Sequence, residues 1–404
     1  MQRSIDHVRA RFPGLAGDEL LLDNAGGSQI LGSVIDEIAD YLRGCNVQHG
    51  ASYARSRVAV ERVLAGQRAL ASLLGDGPGP VIIGSSTTQI VFNLAAALAP
   101  SLRPGDEIVV SEADHEANVG AWARLAGQGV VVRRWPIERE RLRLEPTGLA
   151  PLLSTRTRLV CMTHCSNVVG TIHDVAAVAD MVHAVGARLF VDGVAYAPHR
   201  PVDAAALGAD GYVFSVYKVF GPHLAAAYLS PGFFAELANI NHHFLADAGA
   251  YRLEPGGVCH ELVAGCAAIP RYFSELGEEL GDGPGDARAR AWGAIAAHEE
   301  ALSARLLGFL AACPRVRVVG ETCPDRQVRV PTISFVVAGM RSSELPPRLD
   351  AQGIGVRFGD FYARALIDRL GLRAQDGVVR VSLVHYNRAD EVDRLIAALA
   401  PIVG

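Results

Sequence analysis

The sequence predicts an α/β protein: a large domain built on a mostly parallel seven-stranded sheet flanked by helices, followed by a smaller C-terminal α/β domain. Three observations lead there. Between about residues 75 and 230, seven short apolar runs alternate with helical stretches rich in small apolar residues, the pattern of a sheet covered on both faces. The breaker cluster Gly281-Asp-Gly-Pro-Gly-Asp286 then interrupts the chain, and a shorter succession of helix and strands follows it. In the first part, polar residues collect just after the apolar runs, where an open α/β sheet holds its ligand.

The 404 residues exceed one ordinary core, and half of them are apolar, enough to fill two. Residues 1–20 are expected to form an N-terminal segment packing with the small domain, 21–285 the large domain and 286–404 the small one. Strands are predicted at 81–83, 107–110, 130–133, 159–162, 189–191, 212–215 and 225–229, and helices at 88–99, 117–126 and 175–185. The strand ends present the polar groups at 85–88, 114–116, 163–167, Asp192 and 215–218. After the breaker come a helical segment at 287–312, strands at 316–319, 332–337 and 378–382, and a terminal helix at 390–402.

A formal net charge of −5 without a basic stripe excludes nucleic acid as an expected partner. The first twenty residues mix charges throughout, and no apolar run reaches the roughly 18–20 residues needed to span a bilayer, so no membrane contact and a cytoplasmic location are expected. Seven scattered cysteines with no C-x-x-C pair fit reduced thiols better than disulfides or a zinc site.

Among 38 basic residues only one, Lys218, is a lysine. Arginine can replace lysine as a surface cation, but a guanidinium neither loses a proton near neutral pH nor condenses with an aldehyde. Lys218 lies in Phe214-Ser-Val-Tyr-Lys-Val-Phe-Gly-Pro222, just after a strand and before a forced turn, at the sheet edge where an aldehyde cofactor would lie. Twenty-six residues earlier, Asp192 ends another apolar run. A buried carboxylate needs a cationic or hydrogen-bonded partner, and a protonated pyridine nitrogen provides one. Ile82-Ile-Gly-Ser-Ser-Thr-Thr-Gln89 reads as strand, glycine turn and hydroxyls at a helix start, a setting that favours a phosphate. An amine, a carboxylate and a phosphate cradle together point to pyridoxal 5'-phosphate (PLP), held as a Schiff base on Lys218.

With these segments the chain resembles the class V aminotransferase family of PLP fold type I, and within it the cysteine desulfurase-like branch. The resemblance spans nearly the whole length, through Leu22-Asp-Asn-Ala-Gly-Gly-Ser-Gln29, Asp114-His-Glu-Ala-Asn118, Thr163-His-Cys-Ser-Asn-Val-Val-Gly-Thr171, Asp192-Gly-Val-Ala-Tyr-Ala-Pro-His199, the lysine segment and Arg380-Val-Ser-Leu-Val-His-Tyr-Asn387. It implies that His115 stacks on the cofactor ring and Asn167 contacts its hydroxyl, while Ser86, Thr87 and Ser215 hold the phosphate with Tyr217 beside them. It also implies that Arg380 grips the α-carboxylate of an amino-acid substrate, with Asn24 and Arg357 as further substrate contacts. The segment Leu253-Glu-Pro-Gly-Gly-Val-Cys-His-Glu261 resembles a loop that reaches the neighbouring subunit, which implies a homodimer with His260 near the partner's phosphate.

The pattern departs from a desulfurase in the loop Gly355-Val-Arg-Phe-Gly-Asp-Phe-Tyr-Ala363, where Tyr362 occupies the position of the sulfur-accepting cysteine, and at Ala195, where glutamine is common. A phenol cannot form a persulfide, because that step needs a thiolate. The expected activity is therefore a carbon–sulfur β-lyase acting on L-cysteine or a cysteine S-conjugate. Lys218 would be the base and Tyr362 a proton donor to the leaving group or a pocket wall. The alternatives are a desulfurase using another thiol such as Cys259, an aminotransferase or epimerase on the same scaffold, or a cofactor-binding relative without turnover.

Overall fold

The computed structural model describes residues 2–404. Its large sheet has seven strands: β1 (Val81–Gly84), β2 (Glu107–Ser111), β3 (Val131–Trp135), β4 (Thr157–Thr163), β5 (Arg188–Asp192), β6 (Gly211–Ser215) and β7 (Ala225–Leu229), in the spatial order β1-β7-β6-β5-β4-β2-β3. All neighbours are parallel except those of β7, which runs antiparallel to both β1 and β6. β2, β6 and β7 are buried at every position, because helices cover both faces. One apolar cluster, with Val109, Val160, Val191 and Phe214, fills one face, and another, with Ile108, Leu159, Phe190 and Val213, fills the other.

The small domain holds β8 (Val316–Val319), β9 (Thr332–Val337), β10 (Arg357–Gly359) and β11 (Val378–Ser382), antiparallel in the order β10-β11-β9-β8. The long helix Ala287–Ala311 and the terminal helix Ala389–Val403 contribute Leu306, Leu310, Leu395 and Leu399 to its core. The N-terminal segment touches both halves. Leu20–Leu21 pairs in parallel with Ile354–Gly355, and Arg9 binds Glu391 at 2.9 Å, while Arg11 reaches Glu275 at 2.7 Å and Phe12 packs on Phe220 and Tyr272.

The ten predicted strands all appear, each within two residues, while β10 and the short pair Leu20–Leu21 and Ile354–Gly355 were not predicted. The helix predicted at 117–126 is instead broken into a 3-10 turn at Glu116–Asn118, one α-turn at Gly120–Ala123 and a second 3-10 stretch at Arg124–Gln128. Gly120 and Gly127 weaken a continuous helix, and the Asn118 amide is diverted to Asp114 at 2.8 Å. Among the described residues no helix is long and apolar enough to cross a membrane. All seven cysteines are unpaired.

Candidate active site

The carboxyl ends of the strands converge on one cavity. Ser86, Thr87, His115, Asn167, Asp192, Ser215, Tyr217 and Lys218 all line it, together with Thr88, Ala117, Thr163, Cys165, Val194 and Ala195. Sequence segments up to 132 positions apart, from Ser86 to Lys218, thus meet because parallel strands all point their carboxyl ends the same way.

One end of the cavity is a helix start. Ser86 caps the helix Thr87–Leu98 by accepting from the Gln89 N–H at 3.1 Å, and the Thr87 and Ser215 hydroxyls meet at 2.8 Å. The first N–H groups of such a helix have no intrahelical acceptor and face an anion favourably. The other end is Asp192, buried at the tip of β5, where its Oδ1 accepts from the Val194 N–H at 2.8 Å. The next residue must be Gly193, since a Cβ there would lie 2.1 Å from the Tyr212 ring. Burial raises the Asp192 carboxyl to about 6, against the pull of its Val194 bond and the Lys218 ammonium.

Lys218 closes the cavity from a 3-10 turn after β6. Burial, with Arg380 nearby, lowers its ammonium to about 8 although Asp192 and Asp23 oppose the change. His115 accepts from the Ala117 N–H through Nδ1 at 3.0 Å, and burial followed by the Lys218 and Arg380 charges lowers it to about 4, so its ring is neutral. Behind it Asp114 accepts from Ser111 and Asn118, and burial raises its carboxyl to about 8.

The small domain supplies the rim. Arg380 donates from Nη1 to the Asn167 carbonyl at 3.1 Å, and its guanidinium lies 3.7 Å over the Phe361 ring. The Asn167 side-chain amide donates to the Phe361 carbonyl at 2.9 Å. Tyr362 is 69 % exposed at the mouth, its ring centroid 5.3 Å from that of His115. Arg357 is also largely exposed and donates to Asp23 at 3.3 Å.

Two candidates lie apart from the cavity. Asn24 spends its side chain on protein partners, donating to Leu21, Ser382 and Asn387 and accepting from the Tyr386 hydroxyl. His260, at the start of the helix His260–Gly265, stacks on His49 in the turn between the helices Gly32–Gly44 and Ala54–Ser72, ring centroids 3.7 Å apart. Sequence reasoning passed over Asp23 and Phe361, which hold Arg380 in place. Their importance depends on which strands become neighbours, and spacing along the chain does not report that.

A helix start with hydroxyls, a buried carboxylate with a single backbone donor and a neutralisable amine between them match the phosphate, ring nitrogen and aldehyde of PLP. The comparisons agree. The aminotransferase class-V family model matches residues 20–231 and 290–395. The aminotransferase-like protein FGM3 of Gibberella zeae is 42% identical over 409 residues, covering 99% of this chain and 98% of that one. The cysteine desulfurase-like protein ustD of Aspergillus flavus is 34% identical over 411 residues, covering 99% and 90%. The crystal structure of the cysteine desulfurase CsdA from Escherichia coli superposes with a TM-score of 0.83 at 26% identity over 98% of each chain. The chain belongs to the class V aminotransferase family, and it is a PLP-dependent enzyme of the cysteine desulfurase-like kind.

Proposed function

We propose that the enzyme is a carbon–sulfur β-lyase that removes the β-substituent of L-cysteine or a cysteine S-conjugate. The observation that carries this reading is the state of the thiols near the site. The rim position matched to the sulfur-accepting cysteine holds Tyr362, and the cysteine lining the cavity, Cys165, donates to the Gly170 carbonyl at 3.3 Å while burial pushes its thiol up to about 12. A thiol so protonated is a poor nucleophile. Cys259 is exposed and does not line the cavity.

PLP, when bound, accepts the electron pair left at the α-carbon. Lys218 takes the α-proton, a role suited to an amine that titrates near 8. Asp192 would hold the ring nitrogen protonated, and the neutral His115 ring would stack on the cofactor ring. Ser86, Thr87, Ser215 and the start of the helix Thr87–Leu98 bind the phosphate, with Tyr217 beside them. Asn167 fixes the ring hydroxyl, Arg380 receives the α-carboxylate, and the Tyr362 phenol donates a proton to the departing sulfur. Water then converts the three-carbon fragment to pyruvate and ammonia. The working unit of this reading is a homodimer, supported by exposed Ile35, Leu42, Tyr53, Val58 and Leu64 on and beside the helices Gly32–Gly44 and Ala54–Ser72.

The test is the three-carbon product from L-cysteine without an added thiol acceptor. Pyruvate and sulfide in equal amounts support the lyase. Alanine with sulfur left on the protein, or a reaction that runs only with a keto acid, refutes it.

A further inference from the structure

The pairing of β10 with β11 sets two arginines directly opposite one another, Arg357 across from Arg380. Like charges in that relation repel. Asp23 lies between them: its Oδ1 accepts from Arg380 Nη2 at 2.6 Å and its Oδ2 from Arg357 Nη1 at 3.3 Å. The backbone of Asp23 is pinned by a bridge to Ser382, and a Cβ on Gly26 would come within 2.8 Å of Asp23 Oδ2 and 3.2 Å of Arg357 Nη1, so glycine leaves room for this contact. Arg380 is buried, flattened on Phe361 and tied to the Asn167 carbonyl, yet its Nε has no partner.

Two guanidiniums and one carboxylate leave a single uncompensated positive charge, next to a buried donor without an acceptor. That balance suits one incoming carboxylate and gives little to a second. We propose that Asp23 is a positioning residue that sets carboxylate recognition: it holds Arg357 and Arg380 together against their repulsion and cancels one of their charges. The site thereby favours amino acids with an uncharged side chain over those with an acidic one. This inference rests on Arg380 receiving a substrate carboxylate, and it is independent of what happens at the β-carbon.

Calorimetric titration of the holoenzyme with propionate and with succinate tests it. Neither has an amino group, so both report carboxylate recognition without chemistry. In Asp23→Asn the affinity for succinate relative to propionate rises about tenfold, the size of one charge-assisted contact, while Asp23→Glu keeps the wild-type ratio. Arg357→Gln, at an exposed and tolerant position, weakens propionate about tenfold because Asp23 then fully neutralises Arg380. A ratio unchanged within about twofold in Asp23→Asn overturns the proposal, and so does a parallel loss of both ligands, which marks a merely structural role. Failure of the wild type to bind either ligand overturns it as well. The pyruvate assay is separate: its failure would end the lyase reading and leave these titrations standing.

Discussion

Lys218 is set apart by its surroundings as much as by being a lysine. An exposed ammonium is almost wholly protonated at neutral pH, whereas burial beside Arg380 leaves Lys218 titrating at about 8 and partly free to act as a base. Lys218→Arg keeps the charge and removes both functions. Its turnover falls by about 10²–10⁴-fold or more, and borohydride treatment followed by denaturation leaves cofactor on the wild type but none on the variant. Asp114 illustrates the opposite use of burial. Its carboxyl titrates at 3.8 in an open chain and at about 8 here, so between those values folding takes up a proton and stability falls as pH rises. Asp114→Asn removes that slope. Relative to wild type the cofactor-free variant gains up to about 1.4 kcal/mol per pH unit across the window, read as a melting-temperature difference that widens from acid toward pH 8. An unchanged difference would mean that Asp114 ionises normally. Of the eight candidates that line the cavity, Lys218 and Asp192 were legible from the residues themselves and Ser86 and Thr87 from hydroxyls at a helix start, whereas His115, Asn167, Ser215 and Tyr217 came from the resemblance to the family. Asp23 and Phe361 were legible in neither way, since their work on Arg380 arises only when β10, β11 and the N-terminal segment come together.

Among the elements, the loop after β10 concentrates the conformational cost. Phe361 and Tyr362 both have left-handed backbones, with φ of 51° and 59°, and the Tyr362 carbonyl accepts from the Glu116 N–H at 2.7 Å, tying the loop to the residue after His115. Each such residue without a glycine's freedom costs about 1–2 kcal/mol. Because the Tyr362 side chain is mostly exposed, Tyr362→Gly loses little packing and relieves this cost. The melting temperature of the variant therefore holds or rises, while pyruvate formation from L-cysteine drops by about 10²-fold if the phenol donates the proton. Full activity in Tyr362→Phe would reduce the residue to a wall of the pocket. Short apolar runs bounded by polar residues made the seven large-domain strands readable to within two residues, whereas β10 spans only three residues and carries Arg357 and Phe358 exposed, giving no apolar run to detect. The break in 117–126 was harder to read: its apolar residues keep helical spacing, Gly120 only weakens a continuous helix, and the side-chain bond from Asn118 to Asp114 forms in the fold.

For the whole molecule the decisive matter is whether one chain makes a complete site. The helix His260–Gly265 packs on both Gly32–Gly44 and Ala54–Ser72, and exposed Ile35, Leu42, Val58 and Leu64 leave an apolar surface on those two helices. His260 stands at this surface, stacked on His49 and outside the cavity of its own chain. A two-fold dimer through these helices repeats the patch on both sides, as an isologous interface requires. If His260 serves the partner's phosphate, His260→Ala and Lys218→Ala damage different halves of each site. Each homodimer is then impaired, the first through weakened PLP binding and the second through loss of the amine. A mixed dimer regains one intact site, assembled from Lys218 of one chain and His260 of the other. Co-expressing the two variants and assaying at limiting PLP should recover roughly a quarter of wild-type activity, the yield of random pairing in a two-fold dimer. Recovery no greater than the sum of the separate variants would show that each site is built within one chain, and Leu42→Asp should then yield a monomer in light scattering that keeps its PLP.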